Sequence, residues 1–315
     1  MESGDTPNSY SPWLEYVQRL VEAVDSGKRI TLGPSAAPPV PPAVSASASG
    51  GPKVVFCSPH PDDESLSGAL ALRLRLEANA RVTNIAITLG SDEAQRERRR
   101  RELRSACRVL GFELVIPAEP GAAVAAGFES ITLTARKEEP KEWAARVRSL
   151  SEVFDQEQPE AVFAPHHEDF NSTHVATHRL VTEALAAHLA RRASAAVVLI
   201  ETEFWHPLAE PNLMVELTPE QLAIQLTAAA EHGGEMRRNP YQLLQPCRLM
   251  DNVRRGSEVV GGQGAAAQPF TLAELYRVSF QRGRNAVAPR PGGRMLPASE
   301  PATLEWFWRE FHPES

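Results

Sequence analysis

The sequence predicts an α/β fold of Rossmann-like type, with a mostly parallel sheet and helices on both faces. Two observations carry this. From residue 53 onward, apolar runs of strand length alternate with segments of helical periodicity, and clusters of ionisable residues follow directly after two of those runs. Doubly wound sheets hold their ligands in the crevice beyond the carboxyl ends of the strands, so the residues after each strand are the ones to read for function. At 315 residues, 42% hydrophobic and 23% charged, the chain can bury a full core unaided.

Taken in order, Tyr10, Trp13, Leu14, Val17, Leu20, Val21 and Val24 recur at helical spacing. Ser11 is placed as N-cap, Pro12 as first helical residue and Gly27 just past the end. Residues 1–32 therefore form a helical extension, whose apolar face must be covered by the core or in a homo-oligomer contact. Residues 33–52 are rich in Pro, Ala, Ser and Gly and read as a linker. Residues 53–315 form the α/β domain. Its strands are Val54–Cys57, Val82–Leu89, Leu114–Ile116, Ala161–Ala164 and Ala196–Ile200. One helix is marked by Leu66, Leu70, Leu72, Leu74 and Leu76, and another by Leu103, Ala106, Cys107 and Leu110, ended by Gly111. Two more cover Trp143–Phe154 and Ser172–Leu189. Gly261–Gly264 reads as a surface loop, and the loops Gly121–Thr134 and Gly256–Gln268 are assigned to substrate specificity.

A net charge of -7 excludes a generic binder of nucleic acid or anionic membrane, both of which need a basic field. No run approaches the ~20 apolar residues of a membrane span, and the first residues have no basic-then-apolar leader pattern, so the expected location is the cytoplasm. Cys57, Cys107 and Cys247 are too far apart for a zinc knuckle and read as buried thiols.

After the first core strand comes Pro59-His60-Pro61-Asp62-Asp63-Glu64, and after the fourth comes Pro165-His166-His167-Glu168-Asp169-Phe170-Asn171-Ser172-Thr173-His174; each opens a helix. Imidazole and carboxylate are the usual ligands of catalytic zinc, which keeps three protein ligands and an open position. His60, one of Asp62 or Asp63, and His174 supply such a set. The competing reading has the carboxylates capping helix N-termini. Two histidines and a carboxylate also match the facial triad of non-haem Fe(II) oxygenases, a reading the adjacent carboxylate pair disfavours.

Pro59-His60-Pro61-Asp62-Asp63-Glu64 followed by Gly68 resembles the signature of the PIG-L/LmbE-like deacetylases, and Pro165-His166 through Asp169, Asn171 and His174 looks like that family's distal metal motif. The resemblance spans roughly residues 53–280 and includes Arg99, Glu102 and Leu110-Gly111. It implies a LmbE-like α/β deacetylase domain over 53–315 that removes an acyl group, typically acetyl, from an N-acetyl amino sugar or its conjugate. It further implies Zn²⁺ held by His60, Asp63 and His174, with Fe²⁺ also admitted, and Asp62 as general base. The partner expected is a small amino-sugar molecule, not nucleic acid or membrane. Two alternatives are a metal-binding relative with little or no activity and an amidase for a different amide.

The sequence departs from the family at Asn171, where many relatives have histidine; an amide can donate a hydrogen bond to an oxyanion but is no general acid. His206 is the leading outside candidate for proton donor, with His166 and His167 behind it. Arg99, continuing the helical spacing of Leu103, Ala106 and Leu110, is assigned to substrate binding, and Asp92 either binds a sugar hydroxyl or caps its helix. His178, four residues after His174, lacks the glutamate of a His-Glu-x-x-His motif and reads as structural.

Overall fold

The computed structural model describes residues 10–37, 39–41, 50–117, 131–192 and 196–313. Its described strands form one nine-stranded sheet in the order β3-β2-β1-β4-β5-β7-β6-β9, with β8 (Asn285–Val287) pairing β7. The parallel half consists of β1 (Lys53–Ser58), β2 (Arg81–Ala86), β3 (Glu113–Val115), β4 (Ala161–Pro165) and β5 (Ala196–Thr202). After β3 the chain returns to the other side of β1 to lay down β4, which puts the topological switch point between β1 and β4. Both polar clusters follow these two strands, so they share one crevice.

Side chains on β1 alternate between two cores, as helices on both faces require. Val54 and Phe56 pack with Leu70, Leu103, Leu110 and Phe163, whereas Val55 and Cys57 pack with Ile85, Leu150, Phe154 and Leu180. The covering helices include α3 (Ala69–Glu77), α4 (Glu93–Leu110), α6 (Pro140–Glu157) and α7 (Ser172–Leu189). α4 ends at Gly111 in the left-handed conformation, φ 69°.

The remainder was not read from the sequence. Strand β7 (Ala273–Arg282) runs antiparallel to β5 and carries β6 (Leu213–Glu216), which in turn pairs β9 (Arg294–Leu296). Helices α8 (Pro219–Glu231), α9 (Gly233–Arg238), α10 (Tyr241–Val259) and α11 (Leu304–Phe311) pack around this half. The single helix expected from Leu66 onward is broken into α2 (Asp63–Leu66) and α3. The break is at Gly68, where a Cβ would lie 2.1 Å from the Glu64 carbonyl oxygen. No helix among the described residues is long and apolar enough to cross a membrane. Cys57 and Cys107 are buried as expected; Cys247 is exposed, because it lies on the outer face of α10.

Helix α1 (Tyr10–Lys28) buries none of its residues, so the expectation that its apolar face docks on the core does not hold within this chain. The linker, in contrast, starts docked. Leu32 packs against Leu66, Ala229, Met236 and Tyr241, Gly33 N–H donates to Ala230 O (2.7 Å), and Ser35 donates to Glu231 through its N–H (2.7 Å) and its hydroxyl (3.1 Å). Deleting residues 1–28 is therefore expected to leave thermal stability and turnover unchanged. Deleting 1–52 should cost ~1–2 kcal/mol, seen as a Tm lower by a few degrees, with turnover retained. A folded 53–315 fragment without turnover would refute this.

Candidate active site

The residues that follow β1 are held by a short relay of buried polar groups. Asp62 has φ 125°, a conformation uncommon for a non-glycine residue, though aspartate tolerates it better than most. Such strain, ~1–3 kcal/mol, persists only where neighbours fix it. Here the Asp62 N–H donates to Glu64 Oε2 (3.1 Å), and Glu64 Oε1 is fixed by the Ser65 hydroxyl (2.8 Å) and His232 Nε2 (2.7 Å). Glu64 and His232 are both fully buried.

The turn aims His60 and Asp63 at the start of α7. Asp63 Oδ2 accepts the His60 N–H at 2.8 Å and lies 3.6 Å from both His60 Nδ1 and His174 Nε2. The ligating atoms of His60, Asp63 and His174 all fall within 4.8 Å of one another. His174 tests whether a metal fits here. Both its ring nitrogens are buried without a hydrogen-bond partner, and Nδ1 lies 3.4 Å from Asp169 Oδ2. Burying an imidazole in this way is costly unless a further group completes it. A divalent cation on Nε2, with Nδ1–H turned to the carboxylate, is the usual carboxylate–histidine–metal arrangement. The donor set fits the ion. Asp169 thus stands beside a candidate ligand as its bracing partner, a placement the sequence did not reveal. Asp169→Ala is expected to weaken zinc binding by ~10–100-fold, measured by competition with a chromophoric chelator; unchanged affinity would remove Asp169 from the site.

Asp62 and Asp63, adjacent in sequence, differ electrostatically. Burial pushes Asp62 well above the usual carboxylate range, and the negative charges of Asp63, Glu64 and Glu235 add to this against the opposing pull of Arg99. Burial also pushes Asp63 up, but His174 and His60 more than offset it, and its carboxyl is held below the ordinary value. His174 is held above the usual imidazole range because Asp63 and Asp169 outweigh its burial. Cys57, just behind, is kept as a thiol by burial.

A cavity of about 280 Å³ opens over this group, at the small end of ligand sites. His60, Asp62, Asp63 and Asn171 line it together with Arg99 and Glu235, while Phe204, Trp205 and Tyr241 form an aromatic wall. His174 sits one layer deeper, in a narrow crevice it shares with Asp63. Gly90 (φ 89°) admits Arg99 to the rim, since a Cβ there would lie 2.1 Å from Arg99 Nη1. Arg99 pairs with Glu235 through Nη2, and its buried Nε has no partner. Arg238 pairs with the other Glu235 oxygen at 2.6 Å. Glu235, Arg238 and Tyr241 come from α9 and α10, which carry no sequence signal that joins them to the motifs. Asn171 caps α7, its Oδ1 accepting from Thr173 N (2.9 Å) and His174 N (3.4 Å), which leaves Nδ2 as the donor end of the amide.

Of the two readings of Asp92 the structure shows the cap, and the assignment of His206 as proton donor is corrected. Asp92 is exposed, accepts from Ala94 N–H at 3.0 Å as the N-cap of α4, and does not line the cavity. His206 is also exposed and outside the cavity, its Nδ1 turned to the Pro207 carbonyl at 2.9 Å. Neither does His166 serve as donor: it is buried, with Nε2 on the His206 carbonyl oxygen at 2.8 Å. His167 lies on a different surface. Of the loop Gly121–Thr134 assigned to specificity, residues 121–130 lie outside the described residues, and Ile131 and Thr132 at its end line the cavity. The second such loop, beyond α10, lines a separate surface groove.

Residues 55–185 match the family described as GlcNAc-PI de-N-acetylase, PIG-L. The matched segment runs from β1 into α7 and contains both polar clusters. No curated protein matches the chain in sequence. Solved structures share the fold at low identity. N,N'-diacetylchitobiose deacetylase from Pyrococcus horikoshii is 15% identical, with a TM-score of 0.52 over 87% of this chain and 94% of that one. GalB, the 4-carboxy-2-hydroxymuconate hydratase from Pseudomonas putida KT2440, is 17% identical, with a TM-score of 0.53 over 73% and 97%. A zinc-inhibited form of teicoplanin deacetylase Orf2 is 14% identical, with a TM-score of 0.50 over 73% and 98%. At these identities the likeness establishes the fold. The hydratase among them means that this fold alone does not select the reaction.

Arg99→Ala is expected to raise KM by ~10-fold or more, the scale of a lost charged hydrogen bond, while metal content stays unchanged. It also removes a cation that lowers the Asp62 pKa, so the acid limb of kcat/KM should move to higher pH. Unchanged kinetics on a working substrate would return Arg99 to a purely structural pairing with Glu235.

Proposed function

We propose that this chain is a metal-dependent hydrolase that removes an acyl group, acetyl first, from the amide nitrogen of an amino sugar or its conjugate. The observation that carries the reading is a buried carboxylate of raised pKa, Asp62, beside a separate His60–Asp63–His174 cluster, with His60 and Asp63 lining the same cavity and His174 directly behind them. Two imidazoles and a carboxylate suit Zn²⁺ and also admit Fe²⁺. A divalent ion held there supplies a water of pKa near ~7 and polarises the acyl carbonyl.

The remaining roles belong to the chain. Asp62 accepts the proton of the attacking water. Asn171 Nδ2 and the Tyr241 hydroxyl, kept protonated by burial and by the charges of Asp62 and Asp63, are donors at the cavity wall for the developing oxyanion. With His206 turned away, protonated Asp62 returns the proton to the departing amine. Arg99 and the Trp205–Tyr241 wall position the sugar, whose apolar ring face suits an aromatic surface.

The test is a panel of N-acetyl amino sugars assayed for released primary amine, with chain dialysed against chelator and then reloaded with graded Zn²⁺ or Fe²⁺. Because the teicoplanin deacetylase structure is a zinc-inhibited form, the metal is titrated and not simply supplied in excess. Amine release that depends on metal supports the reading; release indifferent to chelation, or none across panel and metals, counts against it.

A further inference from the structure

Among the described residues two clusters bring three ligating side chains within 4.8 Å of one another; the second is His167, His178 and Glu201. We propose that these three residues bind a second divalent transition-metal ion. The argument is geometric. His174 and His178 are one turn apart on α7; His174 turns to Asp63, whereas His178 meets the end of β5. Glu201 on β5 places Oε1 3.5 Å from His178 Nδ1 and 3.6 Å from His167 Nδ1. In a tetrahedral site with bonds of ~2.0–2.1 Å, ligand atoms are about 3.3–3.4 Å apart, so the three side chains need only small rotations to share one ion.

The surroundings match a ligand site. The Glu201 side chain is only 8% exposed, and its other oxygen faces the Arg277 guanidinium at 3.9 Å, which turns Oε1 toward the imidazoles. The His178 side chain is 15% exposed and that of His167 52%, so the cluster is closed on one side and open to solvent on the other. His178 Nδ1 also lies 3.0 Å from the Pro165 carbonyl oxygen. The metal-free ring therefore carries its proton on Nδ1, and an ion at that atom shifts the proton to Nε2. Burial holds His178 below the usual imidazole range, which favours the neutral form a metal requires. His167 stands two residues before Asp169 and four before Asn171, so an ion here ties the loop that braces His174 to β5 and α7.

The test uses the full chain, stripped with chelator, reloaded with Zn²⁺ and desalted before elemental analysis. Wild type should retain two equivalents, His167→Ala one and Asp63→Ala one. The equivalent kept by Asp63→Ala should raise its Tm, and that rise should vanish when His167→Ala is added. His167 is half exposed, so its removal leaves the fold intact, as circular dichroism will register. Two equivalents in His167→Ala, or a single equivalent in wild type that Asp63→Ala loses, overturns the second site. A single equivalent lost with His167 and kept with Asp63→Ala supports it and defeats the catalytic-metal reading instead.

Discussion

Asp63→Ala is expected to lose metal and turnover together. The loss in metal affinity should exceed the ~10–100-fold that follows removal of an outer bracing group, because a bond to the ion itself disappears. Asp63 Oδ2 lies 3.6 Å from both His60 Nδ1 and His174 Nε2, and its removal takes away the anion that the two imidazoles share. A pH dependence follows with a definite sign. In the metal-free chain Asp63 and Asp169 hold the His174 pKa above its ordinary ~6.5. A proton competes with the ion for Nε2, so the apparent metal affinity falls as pH falls, and the fall starts above that reference value. Competition with a chelator at a series of pH values measures this. An affinity that stays flat down to the pKa of a free imidazole would mean that His174 is not a ligand.

The parallel half of the fold and the candidate ligand cluster were legible in the sequence because each of their pieces lies in a short run of residues directly after a strand. Strand β1 is a continuous apolar run, and the motif after it contains His60, Asp62 and Asp63 within four residues. Helix α7 has the bounds its periodicity predicts, Ser172–Leu189, because Asn171 caps it and apolar residues recur along one face. What failed depends on contacts between distant segments. Strands β6 and β9 are four and three residues long and exist because β7 offers them an edge. Gly68 breaks a leucine-rich helix through a close approach of backbone that no periodicity encodes. His206 looked like a proton donor by position after β5, yet the turn at Pro207 draws its ring outward. Glu235 and Tyr241 reach the cavity only because α8 packs on α4 and returns the chain across the crevice. Asp92 had two readings in the sequence, and the exposed start of α4 decides for the cap.

Asp62→Asn is the substitution that separates water activation from metal binding. The amide has nearly the volume of the carboxylate, and asparagine tolerates positive φ as well as aspartate does, so the strained turn should survive. The Asp62 N–H still donates to Glu64, which stays fixed by His232. Nothing in the His60–Asp63–His174 set is removed, and metal content should match wild type. Turnover should nevertheless fall by ~10²-fold or more, because the amide cannot accept the proton of the attacking water. The pH profile supplies a second readout. Burial and the charges of Asp63, Glu64 and Glu235 raise the Asp62 pKa, so wild-type kcat/KM should climb with pH through a value above the ordinary ~3.9 of a free aspartate. That limb should be absent from the residual activity of the variant. Should Asp62→Asn lose its metal while Asp63→Ala keeps it, the two carboxylates exchange roles; should both variants keep metal and full activity, no hydrolytic centre is built on this turn.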